Sequence, residues 1–172
     1  MRKMKLKESI KLMSYFDELR HTASFLRNNI TNKKILYVSD DREICLIFKE
    51  SNFMHLTGIK YIDGPKVFFN ACIGGRLDID KVRVKVDNTT FLKLDVIGSI
   101  KDMLSIESVR LTSDGKIGQV YYDAGIRSNK MIYFISLKEK EQIYIPTSLI
   151  HTYYISERIP SEIVRRIDVF DY

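Results

Sequence analysis

Two side chains stand out because they combine reactive chemistry with apolar neighbours. His55 lies close to Thr57 and Gly58 in an otherwise apolar stretch, and imidazole is the side chain best matched to proton transfer near neutral pH. Its alternative role is packing, with the ring nitrogens bonded to backbone groups. Lys93 has apolar residues on both sides. Its ammonium therefore either extends to the helix surface or enters a cleft, where it would stabilise the charge of a phosphate.

Two hydroxyls and a second histidine follow Pro146. Thr147 and Ser148 come directly after a predicted strand, where their hydroxyls would either bond a phosphate or cap the next segment. His151 comes three residues later, and with Tyr153 and Tyr154 it would line a surface on which bases stack. This stretch is a second candidate for nucleic-acid contact.

A third candidate is a run of alternating basic and apolar residues at positions 80–86. As a strand, it would place Lys81, Arg83 and Lys85 on one face and three valines on the other. The basic face would either contact phosphates or stay solvated and protect a sheet edge from aggregation.

Several well-known chemistries lack their motifs. The sequence has no phosphate-binding loop with Gly-Lys-Ser or Gly-Lys-Thr, no Gly-x-Ser-x-Gly and no His-Glu-x-x-His or Cys-x-x-Cys. Two cysteines and three histidines are too few for a disulfide framework and make a metalloenzyme improbable. We therefore expect neither a metal nor a cofactor.

Composition predicts one folded domain that spans residues 1–172. Hydrophobic residues make up 45% and charged residues 29% of the chain, so it can bury a core. No apolar run approaches the length of a membrane span, so we expect no membrane-spanning segment and no membrane partner. The sparse cysteines favour a reducing, cytoplasmic location.

The net charge is concentrated at one end of the chain. The chain carries +6, and residues 1–34 hold nine Lys or Arg against three Asp or Glu. The remaining 138 residues are therefore balanced, and the excess belongs to the N-terminal segment. Such a segment would hold RNA or an acidic partner.

Apolar residues at spacings of three and four predict three helices. The first is a long, basic, amphipathic helix over about 4–30, whose apolar stripe either packs on the core or binds a partner. The second begins at Pro65 and ends near Ile73, before two glycines. The third runs from about Thr90 to Leu104.

Strand patterns flank the second and third helices. Lys34–Ser39 and Glu43–Lys49 predict an antiparallel hairpin. Later strands are expected over 109–112, 119–123, 131–137 and 142–145, with a charged loop at 138–141 and an end at Pro146. The tail, 160–170, fits either a short helix or one more strand. The pattern as a whole predicts an α+β domain with a mainly antiparallel sheet.

Five motifs occur in a recognisable order. They are Phe53-Met54-His55-Leu56-Thr57-Gly58-Ile59, Phe68-Phe69, Thr89-Thr90-Phe91-Leu92-Lys93-Leu94, Leu111-Thr112-Ser113-Asp114 and Tyr144-Ile145-Pro146-Thr147-Ser148-Leu149-Ile150. Together they resemble the fourth group of phage-type nuclease-like domains with the barnase–EndoU–colicin–RelE fold. The resemblance covers roughly residues 34–150. Where the family pattern has Asn then Thr after the proline, this chain has Thr then Ser.

The resemblance implies both a fold and an activity. The fold would be N-terminal helices packed on a curved, mainly antiparallel sheet. The activity would be that of a metal-independent endoribonuclease, a toxin or phage-defence effector, with RNA as substrate and an antitoxin or inhibitor as a possible partner. By the same resemblance, His55 would be acid or base, Lys93 would bind the phosphate, Ser148 or Thr147 would be a phosphate ligand, and Thr57 would orient His55 or the phosphate.

A second interpretation remains open. The chain would then be a non-catalytic binding or inhibitor protein from a phage or mobile element that retains the fold. A nuclease requires His55, Lys93 and Ser148 within reach of one phosphate, whereas a binding protein is expected to have them scattered or buried.

Overall fold

The structure is a computed structural model that describes residues 1–155 and 158–172. Its α-helices are α1 (Leu6–Met13), α2 (Phe16–Asn29), α3 (Glu50–Thr57), α4 (Pro65–Ile73) and α5 (Thr89–Ile97). Its strands are β1 (Arg2–Lys3), β2 (Lys33–Val38), β3 (Glu43–Ile47), β4 (Lys60–Tyr61), β5 (Val82–Val84), β6 (Val109–Thr112), β7 (Gly115–Ile117), β8 (Val120–Tyr122), β9 (Ala124–Ser128), β10 (Tyr133–Lys140), β11 (Ile143–His151), β12 (Glu162–Ile163) and β13 (Arg166–Asp171). Short 3-10 helices cover Ile79–Lys81, Gly98–Asp102 and Thr152–Tyr154.

An eight-stranded, curved sheet forms one layer of the domain. Its strand order is β12-β6-β9-β10-β11-β3-β2-β13, and the pairs are antiparallel except for β11 with β3. One face contributes Ile126, Ile135 and Leu149 to the core that it shares with the helices. The predicted α+β class with a curved, mainly antiparallel sheet is therefore confirmed.

The prediction of one long helix over 4–30 is wrong. The helix breaks at Ser14 and Tyr15, where the Ser14 hydroxyl donates to the Lys11 carbonyl oxygen at 2.6 Å and Tyr15 hydrogen-bonds Asp95. The bond of Ser14 is of the local kind that competes with helical backbone bonds. After the break, α2 buries its apolar stripe, but Leu6, Ile10 and Met13 of α1 stay exposed.

Of the other two predicted helices, one has the expected bounds and the other is shorter than expected. The α4 helix has the bounds expected from its proline and glycines, Pro65 and Ile73. The α5 helix ends at Ile97, and the chain tightens into 3-10 geometry from Gly98. Gly98 lies against the Glu18 carboxylate, where a larger residue would clash. The prediction that this helix continues to Leu104 is therefore wrong.

The basic strand predicted over 80–86 is much shorter than expected. Only Val82–Val84 form β5, because its neighbours β1 and β4 are two residues long and offer no further pairing. Val82 and Val84 are buried, but Val86 is 73% exposed. The alternating pattern of residues 80–86 therefore corresponds to a strand only at residues 82–84.

Two predictions in the last third also fail. Lys138–Lys140 belong to β10, and the turn that follows is the dipeptide Glu141-Gln142, both with positive φ, as tight hairpins require. Pro146 does not end β11, since a bulge next to it absorbs the disruption. The hairpin of β2 and β3 is confirmed, and the tail forms strands rather than a helix, with β13 paired along β2.

Candidate active site

A β-bulge near the centre of β11 positions one of the candidate hydroxyls. Leu137 pairs with Pro146 and Ser136 pairs with Ser148, so Thr147 is the extra residue. The Thr147 hydroxyl donates to the Ser136 carbonyl oxygen at 3.2 Å and lies 2.9 Å from the Ser136 hydroxyl. Thr147 thus holds the bulge, and the bulge turns Ser148 towards α5. Bulges commonly re-aim a side chain next to an active site.

Lys93 reaches this hydroxyl from α5. Its Nζ donates to Ser148 Oγ at 3.0 Å and to the His55 carbonyl oxygen at 3.5 Å. Burial, and to a smaller extent the positive charge of Lys85, lower the pKa of Lys93 to about 8, and Asp87 partly opposes the shift. The ammonium is therefore held where water stabilises it poorly, and an anion would stabilise it well.

Gly58 makes room for Lys93. It ends α3 in the left-handed conformation at φ +69°, and a Cβ there would lie 2.9 Å from Lys93 Cδ. The buried Thr90 hydroxyl donates to the Gly58 carbonyl oxygen at 2.9 Å and accepts from the Lys85 backbone N–H at 3.0 Å. The C-terminus of α3, the start of α5 and Lys85 are thus fixed to one another.

A pocket of about 450 Å³ opens at the Lys93–Ser148 pair. Its lining residues are Lys85, Thr89, Leu92, Lys93, Ile117, Gly118, Val120, Ser148, Leu149, Ile150, His151 and Ile155. The volume lies within the range of small-molecule and nucleotide sites. Two cations, hydroxyls and an imidazole in a largely apolar wall suit a phosphate ester with an attached base.

His151 ends β11 at the edge of this pocket. Its Nδ1 accepts the backbone N–H of Tyr153 at 3.2 Å, so a neutral ring carries its proton on Nε2. The ring meets that of Tyr153 edge-on, with centroids 6.3 Å apart, and Tyr153 is exposed. The side chain of Tyr154, which the expected stacking surface includes, lies outside the described part of the chain.

Two of the four residues expected to be catalytic do not line the pocket. The His55 ring is exposed on α3, and Lys93 hydrogen-bonds the backbone carbonyl oxygen of His55. Thr57 is fully buried, and its hydroxyl donates to the Met54 carbonyl oxygen at 2.8 Å and accepts from the Ile59 N–H at 3.2 Å. Thr57 therefore shapes the end of α3.

The three cations that were expected to form one phosphate-binding face have different surroundings in the structure. Lys81 forms an ion pair with Asp63 at 2.6 Å, and Arg83 donates to the carbonyl oxygens of Asp80 and Val82 at 2.8 and 2.9 Å. Only Lys85 lines the pocket, because it follows β5 and bonds the start of α5.

Sequence reasoning missed one wall of the pocket. The small hairpin of β7 and β8 supplies Ile117, Gly118 and Val120. The available signal was Gly118, which turns at φ +57° between two short β-type runs.

The described residues form neither a cluster of metal ligands nor a membrane-spanning helix. Within residues 1–155 and 158–172, no three His, Cys, Asp or Glu side chains are grouped closely enough to hold a metal ion. In the same described part, no helix has the length and apolar character needed to cross a bilayer.

Comparisons with known proteins agree with the geometry at the level of the family. No curated protein and no solved structure shows significant similarity to the chain. A family profile does match, over residues 18–163, which run from the first turn of α2 to the end of β12. The chain belongs to the phage-Barnase-EndoU-ColicinE5/D-RelE-like nuclease 4 family.

Proposed function

We propose that the domain is a metal-independent endoribonuclease that cleaves RNA through attack of a ribose 2′-OH on the adjacent phosphate. The observation that carries the proposal is the Lys93–Ser148 pair, 3.0 Å apart in a nucleotide-sized pocket. Membership of a nuclease-like family supports it. The family's phage and toxin namesakes suggest a toxin or phage-defence role.

In this mechanism a base takes the proton of the 2′-OH as the 2′-oxygen bonds to phosphorus, the bond between phosphorus and the 5′-oxygen breaks, and an acid protonates the leaving 5′-oxygen. Charge accumulates on the non-bridging oxygens, where fixed donors are most effective. Lys93, Lys85 and the Ser148 hydroxyl would bind those oxygens. His151, rather than the exposed ring of His55, would exchange a proton with the substrate, because His151 lines the pocket.

The two lysines also favour an anionic occupant. Lys85 repels Lys93 across the pocket, and burial adds to the cost of the Lys93 charge. A bound phosphate removes both costs at once, since it pairs with the two cations where water is scarce. The proximity of the two lysines therefore supports a phosphate site.

One observation favours the alternative, a non-catalytic binding protein. Leu6, Ile10 and Met13 form an exposed apolar row on α1, next to the two lysines of the same helix, Lys7 and Lys11. Such a surface fits an acidic, amphipathic partner. It is compatible with a nuclease that has an inhibitor, so cleavage decides between the two functions.

The test is cleavage of RNA by protein purified free of partners, in EDTA. We expect products that end in a 2′,3′-cyclic phosphate, and no cleavage where the 2′-OH is replaced by hydrogen. The matched pair is His151→Gln, which should lose about 10²-fold or more in rate, and His55→Gln, which should stay within a few-fold of wild type.

Three results would contradict the proposal in different ways. Intact RNA with wild type would end the nuclease hypothesis and leave the binding protein. Cleavage that requires a divalent cation would end metal independence. A large loss in His55→Gln with none in His151→Gln would return the proton-transfer role to α3.

A further inference from the structure

A second group of cations lies on the sheet, away from the Lys93–Ser148 pocket. Arg110 of β6 and Arg127 of β9 are direct cross-strand partners. Like charges directly opposite one another destabilise a sheet. Within residues 1–155 and 158–172, no carboxylate forms an ion pair with either of them. Within that part of the chain the pair therefore has no counter-charge, which its position would favour.

The two guanidinium groups converge on one neutral oxygen. Arg110 Nε and Arg127 Nη2 donate to Ser161 Oγ at 2.6 and 2.7 Å. The hydroxyl keeps its own proton to donate to a further group. Arg127 Nε is buried and has no hydrogen-bond partner among the described residues, and burial together with Arg110 lowers the pKa of Arg127. Such a donor normally has a partner.

A third arginine completes a pocket at this point. Arg158 is exposed and lines the same depression of about 280 Å³ with Arg110, Arg127 and Ser161. Planar guanidinium groups bind phosphate oxygens through two parallel hydrogen bonds. Three of them with one hydroxyl are a complete set of donors for a phosphate.

The arginine pocket lies on the same face of the sheet as the Lys93–Ser148 pocket. Register across four strands joins Arg110 to Arg127, Arg127 to Phe134, and Phe134 to Ile150, which lines the first pocket. Direct partners share a face, and neighbouring strands lie about 4.8 Å apart, so β11 and β9 are separated by roughly 10 Å. A small apolar cluster around Phe134 fills the space between the two pockets.

We propose that Arg110, Arg127, Arg158 and Ser161 form a second phosphate subsite. It holds a phosphate of the same RNA strand whose scissile phosphate lies at Lys93 and Ser148. This inference rests on the proposed function, and it deepens it: the preferred substrate is a single strand long enough to bridge both pockets.

The experiment measures binding with an RNA that cannot be cleaved. A labelled 2′-O-methyl oligonucleotide of about ten residues is titrated by fluorescence anisotropy at several salt concentrations. The Arg110→Gln/Arg127→Gln variant should bind about tenfold more weakly, and the slope of log K against log salt should become shallower by about 0.7 for one lost phosphate contact. Arg166→Gln on β13, outside both pockets, is the matched control. A dinucleotide, too short to reach the second pocket, should bind wild type and variant equally.

Arg158→Gln guards against a folding defect, because Arg158 is exposed. It should also weaken binding of the long oligonucleotide and make the salt slope shallower. Unchanged affinity and slope in folded Arg158→Gln and in the double variant would overturn the subsite.

Cleavage separates this inference from the proposed function. If wild type cleaves RNA and the double variant has an unchanged KM, the nuclease stands and the subsite is overturned. If wild type cleaves nothing but binding still depends on the arginines, the subsite stands without the nuclease.

Discussion

The charge state of Lys93 should control the reaction. Its pKa is lowered to about 8 by burial and by Lys85, and only the protonated form binds a phosphate as a cation. We therefore expect kcat/KM for RNA, which reports the free enzyme, to fall as the pH rises through about 8. Lys93→Arg should shift this fall to higher pH, since guanidinium stays charged. A rate that rises up to pH 8 and depends on Lys93 would instead make Lys93 a base.

The same pKa predicts a pH dependence of stability. The pKa of Lys93 is lower in the folded chain, about 8, than its ordinary value of 10.5. Between these values the unfolded chain binds more protons, so the free energy of unfolding rises with pH in this window. Relative to Lys93→Met, wild type should gain about 1–3 kcal/mol between pH 7 and pH 10 in urea denaturation. An equal pH dependence in both proteins would contradict the lowered pKa.

At the scale of the element, the bulge in β11 assigns different roles to neighbouring hydroxyls. Ser148→Ala removes the partner of Lys93 and should slow RNA cleavage by about tenfold or more with little change in stability. Thr147→Val removes the bonds to Ser136 and should cost about 1 kcal/mol in the free energy of unfolding, with cleavage within a few-fold of wild type. Rate assays and urea denaturation on both variants check this, and the reverse pattern would assign the phosphate contact to Thr147.

The junction between α3 and α5 depends on Gly58. Gly58→Ala places a Cβ in a left-handed position, at about 1 kcal/mol, and also 2.9 Å from Lys93 Cδ. Gly118→Ala is the control, because Gly118 has a similar φ of +57° and no atom within 4 Å of the added Cβ. Gly58→Ala should lower stability more than Gly118→Ala by urea denaturation. Equal losses of stability would show that the close approach of the added Cβ to Lys93 does not lower the free energy of unfolding.

Local signals predicted the elements that depend on local chemistry. Pro65 and the two glycines after Ile73 bound α4 correctly because they act on their own backbone. The same reasoning failed at Pro146, since a bulge set by pairing with β10 keeps the strand intact. A bulge of this kind depends on residues on a different strand, and no single segment shows it.

The candidate site, like the fold, was predicted only in part from the sequence. Lys93 and Ser148 were expected near one phosphate, and the structure places them 3.0 Å apart. His55 was expected to be the acid or base and His151 to contact RNA, but it is His151 that lines the pocket, because only the fold decides which ring faces it. Arg110 and Arg127 were not predicted as site residues, because strand register and not sequence spacing brings them together.

For the whole molecule, the distribution of charge should affect association more than chemistry. The excess of +6 resides in residues 1–34, and Lys3, Lys5 and Lys7 are exposed there. A triple change to Gln should slow RNA association at low salt and weaken the salt dependence, with kcat unchanged. Stopped-flow binding at two salt concentrations measures this. An unchanged association rate would limit the positive segment to partner binding.

The single parallel pair in the sheet has a consequence for how the chain folds. Tyr144 and Leu46, which define that pair, come from distant parts of the sequence, whereas β2 with β3 and β9 with β10 and β11 are joined by short connections. Loop-closure entropy opposes distant contacts until local ones exist. The two antiparallel halves should therefore form first, and the β3–β11 seam should close last. The Lys93–Ser148 pair depends on α3 and α5 packing against β11 across this seam, so the candidate site would be assembled only at the final stage of folding.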